Sequence, residues 1–149
     1  MPLEQLGPYR YFVGTYPAAV RAFGAPSSRR VVAGTPRLSN LCGVSWRALG
    51  LEMGFASRPY PCRESSLTHG AWYGASIRSP RWRTDRGLRV GDPAARVRML
   101  YPRARHVGSG YWLATKPDHI DPRRREATLV AVVSRGRVTE LRLPPGYTY

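Results

Sequence analysis

Leu88-Arg89-Val90-Gly91-Asp92-Pro93-Ala94-Ala95-Arg96-Val97-Arg98-Met99-Leu100 repeats the earlier stretch Tyr11-Phe12-Val13-Gly14-Thr15-Tyr16-Pro17-Ala18-Ala19-Val20-Arg21-Ala22-Phe23, with Leu88 falling 77 positions after Tyr11. Val13, Gly14, Ala18, Val20 and Arg21 are identical in the two copies. Self-similarity at a fixed offset is the mark of a repeated structural unit. Each copy reads as an apolar residue and glycine, then Thr15 or Asp92 as a helix N-cap whose side-chain oxygen accepts from the first turn, then a short amphipathic helix. Pro93 falls at the first helical position, where its missing N–H costs nothing. Ala19, Val20 and Phe23 in one copy, and Val97, Leu100 and Tyr101 in the other, recur at helical spacing. Gly24-Ala25-Pro26 and Pro102 end these helices after roughly nine residues, so they persist only by packing on something else.

After each helix the chain reads as strands. The first half offers Arg30 to Ala33, Leu41 to Trp46, Leu51 to Phe55 after a turn at Arg47-Ala48-Leu49-Gly50, and Ala71 to Ile77. The second half offers Tyr111 to Thr115, Thr128 to Val133, a turn at Ser134-Arg135-Gly136, and Arg137 to Leu143. In the last of these Val138, Leu141 and Leu143 do not alternate perfectly, but Arg137, Thr139, Glu140 and Arg142 make one face polar, as an antiparallel sheet with one solvated face requires. The hairpin Leu41 to Phe55 reads as the counterpart of Thr128 to Leu143, with an insertion at Lys116 to Arg125. The expected fold is therefore α+β: two tandem repeats, 1–77 and 78–149, each a short helix or helical hairpin on a three- to four-stranded antiparallel sheet, or one continuous domain.

The chain has 149 residues, with 24 Lys+Arg against 9 Asp+Glu and a formal charge of +15. Lys116 is its one lysine, the pattern a GC-rich genome produces without selection for binding, so much of the charge reads as a solvated surface. Most of the excess lies after residue 77, where Arg123-Arg124-Arg125 is the densest run; an anionic polymer or nucleic acid is the partner class such a face would attract. The 15 Gly and 14 Pro exclude a helical bundle. No apolar run approaches the roughly 18 residues of a membrane-spanning helix. The first residues carry no recognisable secretory leader. Cys42 and Cys62, with Gly54, Pro59 and Pro61 between them, instead have the spacing of a bridge across neighbouring strands, which predicts an exported protein; free thiols would place it in the cytoplasm.

Two copies of a glycine-framed, capped helix followed by an antiparallel sheet, with a cysteine pair across a hairpin, resemble the β-lactamase inhibitor protein family. The same features are similar to small bacterial envelope proteins of the SmpA/OmlA lipoprotein type. Gly87 to Pro102, ending in Tyr101-Pro102, and the block Cys42-Gly43-Val44-Ser45-Trp46 carry the resemblance. It implies export, a non-enzymatic role, and a sheet surface or loop tips that grip another protein. The inhibitor presents an acidic residue at a loop tip, whereas Arg47 to Gly50 and Ser134 to Gly136 hold none, so no inhibitory residue is carried over.

No catalytic constellation emerges. Ser45 lacks the second glycine of a nucleophile elbow. The cluster Asp118-His119-Ile120-Asp121 is bracketed by Pro117 and Pro122 and reads as turn chemistry rather than a metal site. His69, His106 and His119 show no ligand spacing, so no metal and no cofactor is expected. The aromatics are the stronger signal. Trp46, Trp72, Tyr111 and Trp112 are candidate contact residues for a protein partner, because Trp, Tyr and Arg dominate interface hot spots. Trp72-Tyr73 and Tyr111-Trp112 place neighbours on opposite strand faces, so one of each pair is expected to be exposed or at the interface between the repeats. Arg123, Arg124 and Arg125, with Arg96, Arg98, Arg103 and Arg105, are the candidates for the alternative, a nucleic-acid or anionic-polymer face.

Overall fold

The computed structural model describes residues 5–6, 15–32, 41–57, 62–67, 72–118 and 120–143. Val13, Gly14, Ala33, Pro59, Pro61, His69, Ala71 and His119, which carry part of the sequence pattern, lie outside them. The elements run β1 (Gln5–Leu6), α1 (Tyr16–Phe23), β2 (Ser28–Val32), β3 (Leu41–Trp46), a 3-10 turn (Arg47–Leu49), β4 (Leu51–Ala56), α2 (Glu64–Leu67) and β5 (Trp72–Ile77). They continue with β6 (Arg83–Thr84), α3 (Ala94–Leu100), β7 (Arg105–Val107), β8 (Gly110–Pro117), β9 (Arg125–Ser134) and β10 (Arg137–Leu143).

The hydrogen-bonded order is β2-β3-β4-β5-β10-β9-β8-β7, one eight-stranded sheet, with β1 and β6 forming a separate parallel pair. This corrects the expected α+β class of two tandem repeats, each a short helix or helical hairpin on a three- to four-stranded antiparallel sheet. The chain is mostly β. Its three helices among the described residues have 8, 4 and 7 residues, little more than two turns at most, too little to form a helical layer. Strands take up more of the chain than the sequence pattern suggests, since β8 and β9 run beyond their expected ends and β7 carries no strand signal.

Two compact units divide the chain: Tyr11–Ala75, and Ser76–Tyr149 together with Met1–Arg10. In the first, β2, β3 and β4 pair antiparallel. Alternation sends Cys42, Val44 and Trp46 of β3, and Leu51, Met53 and Phe55 of β4, into the core. Helix α1 packs on them through Tyr16, whose ring meets Phe55 edge-on at 5.6 Å, and Phe23, which meets Trp46 in the same way. Thr15 caps α1 as expected, its hydroxyl accepting from Ala18 N–H at 3.4 Å. Gly50, at φ 59°, supplies the left-handed step that returns the chain from β3 to β4. The disulfide joins Cys42 to Cys62 across 20 positions, with Cα atoms 5.0 Å apart.

In the second unit Trp82, Leu88, Val97, Leu129, Ala131, Val138 and Leu141 are buried. Asp92 does not cap α3. Pro93 is the N-cap, and the Asp92 carboxylate instead accepts from Arg89 N–H at 2.9 Å and pairs with Arg96 at 3.2 Å. Burial is the main cause that pushes the Tyr101 phenol up to about 12; its hydroxyl donates to Asp85. The uneven pattern of the last strand has a direct cause. Val138 pairs with Val133 and Glu140 with Val132, so Thr139 is an extra residue, a β-bulge. Val138, Leu141 and Leu143 thereby all reach the core.

Candidate binding face

Side chains paired across strands share a face. The ladders Arg105↔Trp112, Trp112↔Val130 and Val130↔Arg142 therefore place four side chains in one row across β7, β8, β9 and β10. The next row on the same face is Val107, Gly110, Val132 and Glu140. The opposite face carries Tyr111, Ala131 and Leu141, all buried, which identifies it as the core side. Trp112 is half-buried and Arg105 and Arg142 are exposed, so the first of these rows is open at both ends, whereas Gly110 and Glu140 of the second are buried.

The Arg105 guanidinium lies 5.7 Å from the centroid of the Trp112 ring, within cation–π range. Val130 is the cross-strand partner of Trp112, and Val132 that of Gly110. A Cβ at Gly110 would come 3.0 Å from Val130 Cγ1, so a larger residue there would have to displace the valine by a few tenths of an ångström. At the far end of that row Glu140 is only 6% exposed. Arg142 grips it with two hydrogen bonds, Nε to Oε1 at 2.8 Å and Nη2 to Oε2 at 3.1 Å, while the Ser76 hydroxyl also donates and Arg78 approaches to 3.8 Å. Burial alone would raise the Glu140 pKa. The hydrogen bonds from Arg142 and Ser76, with the charges of Arg142 and Arg78, outweigh it and hold the carboxyl below its usual value.

A group whose pKa is lower in the folded state contributes stability that is present above its unfolded pKa and lost as pH falls through the folded one. Glu140→Gln is therefore expected to cost about 1–2 kcal/mol at neutral pH, after discounting for the exposure of Arg142. Urea unfolding at pH 7 and again near pH 3 checks this. The gap between wild type and variant should narrow well below the ordinary glutamate value of 4.5, and a gap unchanged with pH refutes the assignment.

The residues singled out from sequence distribute unevenly. Trp46 is 3% exposed and donates its indole N–H to Gly24 O at 2.8 Å, so it belongs to the core and not to a contact surface. Trp72 is half-buried on β5. Tyr111 is buried and stacks on His106 with ring centroids 4.6 Å apart. Trp112 stands in a row with the exposed Arg105 and Arg142. Arg123 and Arg124 are exposed on the turn between β8 and β9, whose backbone is tied by Asp118 and Asp121. Arg125 binds Thr115 through its guanidinium at 3.0–3.1 Å. Val130 lies five residues from Arg125 along β9, roughly 16 Å away, so the arginine run and the Trp112 row are separate features. Asp118 Oδ1 accepts from Ile120 and Asp121 N–H, which is turn chemistry. The Ser45 hydroxyl donates to Glu52, itself paired with Arg30 at 2.8 Å.

Sequence reasoning missed Arg142, Glu140, Ser76 and Val130. The polar face of residues 137–143 was the available signal for Arg142 and Glu140, but only the cross-strand register joins them to Trp112. No helix among the described residues is long and apolar enough to cross a membrane, and no cluster of three or more metal-ligating side chains occurs there. No family model matches the chain, and neither a curated protein nor a solved structure matches it.

Proposed function

We propose that the protein is an exported, non-enzymatic binding module that recognises a protein partner through the outer face of β7–β10, with Trp112 as its anchor. The observation that carries this reading is the Arg105–Trp112–Val130–Arg142 row, a large rigid aromatic set between arginines on a sheet face. That combination of residue types supplies most hot-spot energy in protein interfaces. The Cys42–Cys62 disulfide is consistent with an extracytoplasmic location, where such bonds persist.

Wild-type protein and Trp112→Ala, immobilised in parallel and exposed to extracytoplasmic proteins of a bacterial host, provide the test. A species retained by the wild type and reduced at least tenfold on the variant supports the reading; identical retention refutes it. Trp112→Ala is expected to fold, at a stability cost of about 1 kcal/mol or less, since the lost contacts are cross-strand pairs on the outer face.

The arginine excess after residue 77 favours a second reading, a binder of nucleic acid or another anionic polymer, with Trp112 stacking on bases. That reading requires retention on single-stranded DNA, RNA or heparin near physiological salt, with a steep log-log salt dependence.

A further inference from the structure

Resting on the protein-binding reading, we infer that the segment recognised is acidic: an apolar side chain framed by carboxylates, laid across the Arg105–Trp112–Val130–Arg142 row. The charges along that row set the requirement. At one end Arg105 is exposed, and its guanidinium rests over the Trp112 ring. At the other end two arginines, Arg78 and Arg142, share one carboxylate, Glu140, which leaves one positive charge in excess. Their side chains are 67% and 54% exposed, so that excess faces solvent. Between the two cationic ends lie the Trp112 indole and the Val130 side chain, both half-buried.

Three strand spacings separate β7 from β10, roughly 14 Å between the backbones at the ends of the row. A partner that packs an apolar side chain on Trp112 and Val130 brings its own flanking groups over Arg105 and over the Arg78–Arg142 pair. Cations placed there would be repelled, and neutral groups would leave the guanidinium ions to be dehydrated without a partner. Carboxylates on both sides satisfy both ends, and Arg105 offers them a planar fork of donors. Phosphates along a nucleic-acid strand would meet the same charges with a base stacked on Trp112, so competition by an oligonucleotide separates the two ligands.

A library of random twelve-residue peptides displayed on phage, selected on the full-length protein and depleted on Trp112→Ala, provides the probe. Enriched peptides are expected to carry Asp or Glu on both sides of a Trp, Phe or Leu. Synthesised with a fluorophore, they should bind Arg105→Glu at least tenfold more weakly, and their Gln-for-Glu analogues should lose affinity for the wild type to a similar degree. Trp112→Phe, which keeps an apolar ring, guards against loss of folding in Trp112→Ala and should retain part of the affinity.

Enriched peptides that are neutral or basic, or that ignore Arg105→Glu, overturn the acidic-segment inference and leave the protein-binding reading standing. Failure to enrich any peptide that binds wild type and Trp112→Phe more tightly than Trp112→Ala overturns the two together. Displacement of the bound peptides by a single-stranded oligonucleotide at lower concentration than by unlabelled peptide also overturns the inference, in favour of a nucleic-acid ligand.

Discussion

Phe55→Ala is expected to destabilise the protein by about 3–5 kcal/mol, the range for truncating a fully buried aromatic. Phe55 is 0% exposed near the end of β4, lies opposite Cys42 of β3, and receives the edge of the Tyr16 ring at 5.6 Å. The substitution therefore removes apolar area, leaves a cavity in a close-packed region, and strips α1 of its Tyr16 ring contact. An eight-residue helix has no independent stability, so its helical signal should be lost together with the rest of its unit. Urea unfolding followed by circular dichroism measures the effect. A shift worth less than about 1 kcal/mol would mean that the site collapses around alanine and that the Tyr16–Phe55 contact is not what holds the helix.

Removal of the disulfide is the second large effect. Closing a loop of 20 residues restricts the unfolded chain enough to be worth about 3 kcal/mol in the chain-entropy account. One local term offsets part of this. Cys62 has φ 58°, a left-handed backbone conformation that costs a non-glycine residue roughly 1–2 kcal/mol. The bridge holds it there, with the help of a hydrogen bond from Cys62 N–H to the Ser57 hydroxyl at 2.9 Å. The double variant Cys42→Ser, Cys62→Ser can relax that strain, so its net loss should fall near ~2 kcal/mol, measured as a lower urea midpoint than that of the oxidised protein. Equal midpoints would show that the bridge is dispensable for the fold.

The parts of the structure legible in the sequence are those governed by local chemistry. Leu41 to Trp46 and Arg137 to Leu143 are bounded correctly because a turn signal stands beside each. Thr15 is recognisable as a cap because a threonine before Tyr16-Pro17 has few other uses. Asp92 is not so simple. With Pro93 in the N-cap position, the Asp92 carboxylate turns back to Arg89 N–H and forward to the Arg96 side chain, and nothing in the string Gly91-Asp92-Pro93 distinguishes the two outcomes. Strand β7 is invisible because Arg105-His106-Val107 is three exposed residues at a sheet edge, with no alternation to read.

The sheet itself escapes a sequence reading for a related reason. Strand order is a property of pairing, and the pairing β3·β4 precedes β5 in the chain just as β8·β9 precedes β10. Leu41 to Phe55 matches the hairpin Thr128 to Leu143 by sequence because both show a clear turn. The turn between β8 and β9 then looks like an insertion. Of the candidate contact residues, Trp112 can be named but not chosen over Trp46, because composition does not say which tryptophan faces the core.

Thr139 acts as a phase shifter. Counted by strict alternation from Val138, residues 138–143 would send Glu140 and Arg142 toward the core and Leu141 and Leu143 toward water. The single unpaired residue inverts the remainder of the strand, so one amino acid decides which of two opposite amphipathic ribbons the same letters spell. The row that ends at Arg142 and the apolar layer that ends at Leu143 are therefore not independent inheritances of this strand. Both depend on the one extra residue, so removing Thr139 would turn the two over together.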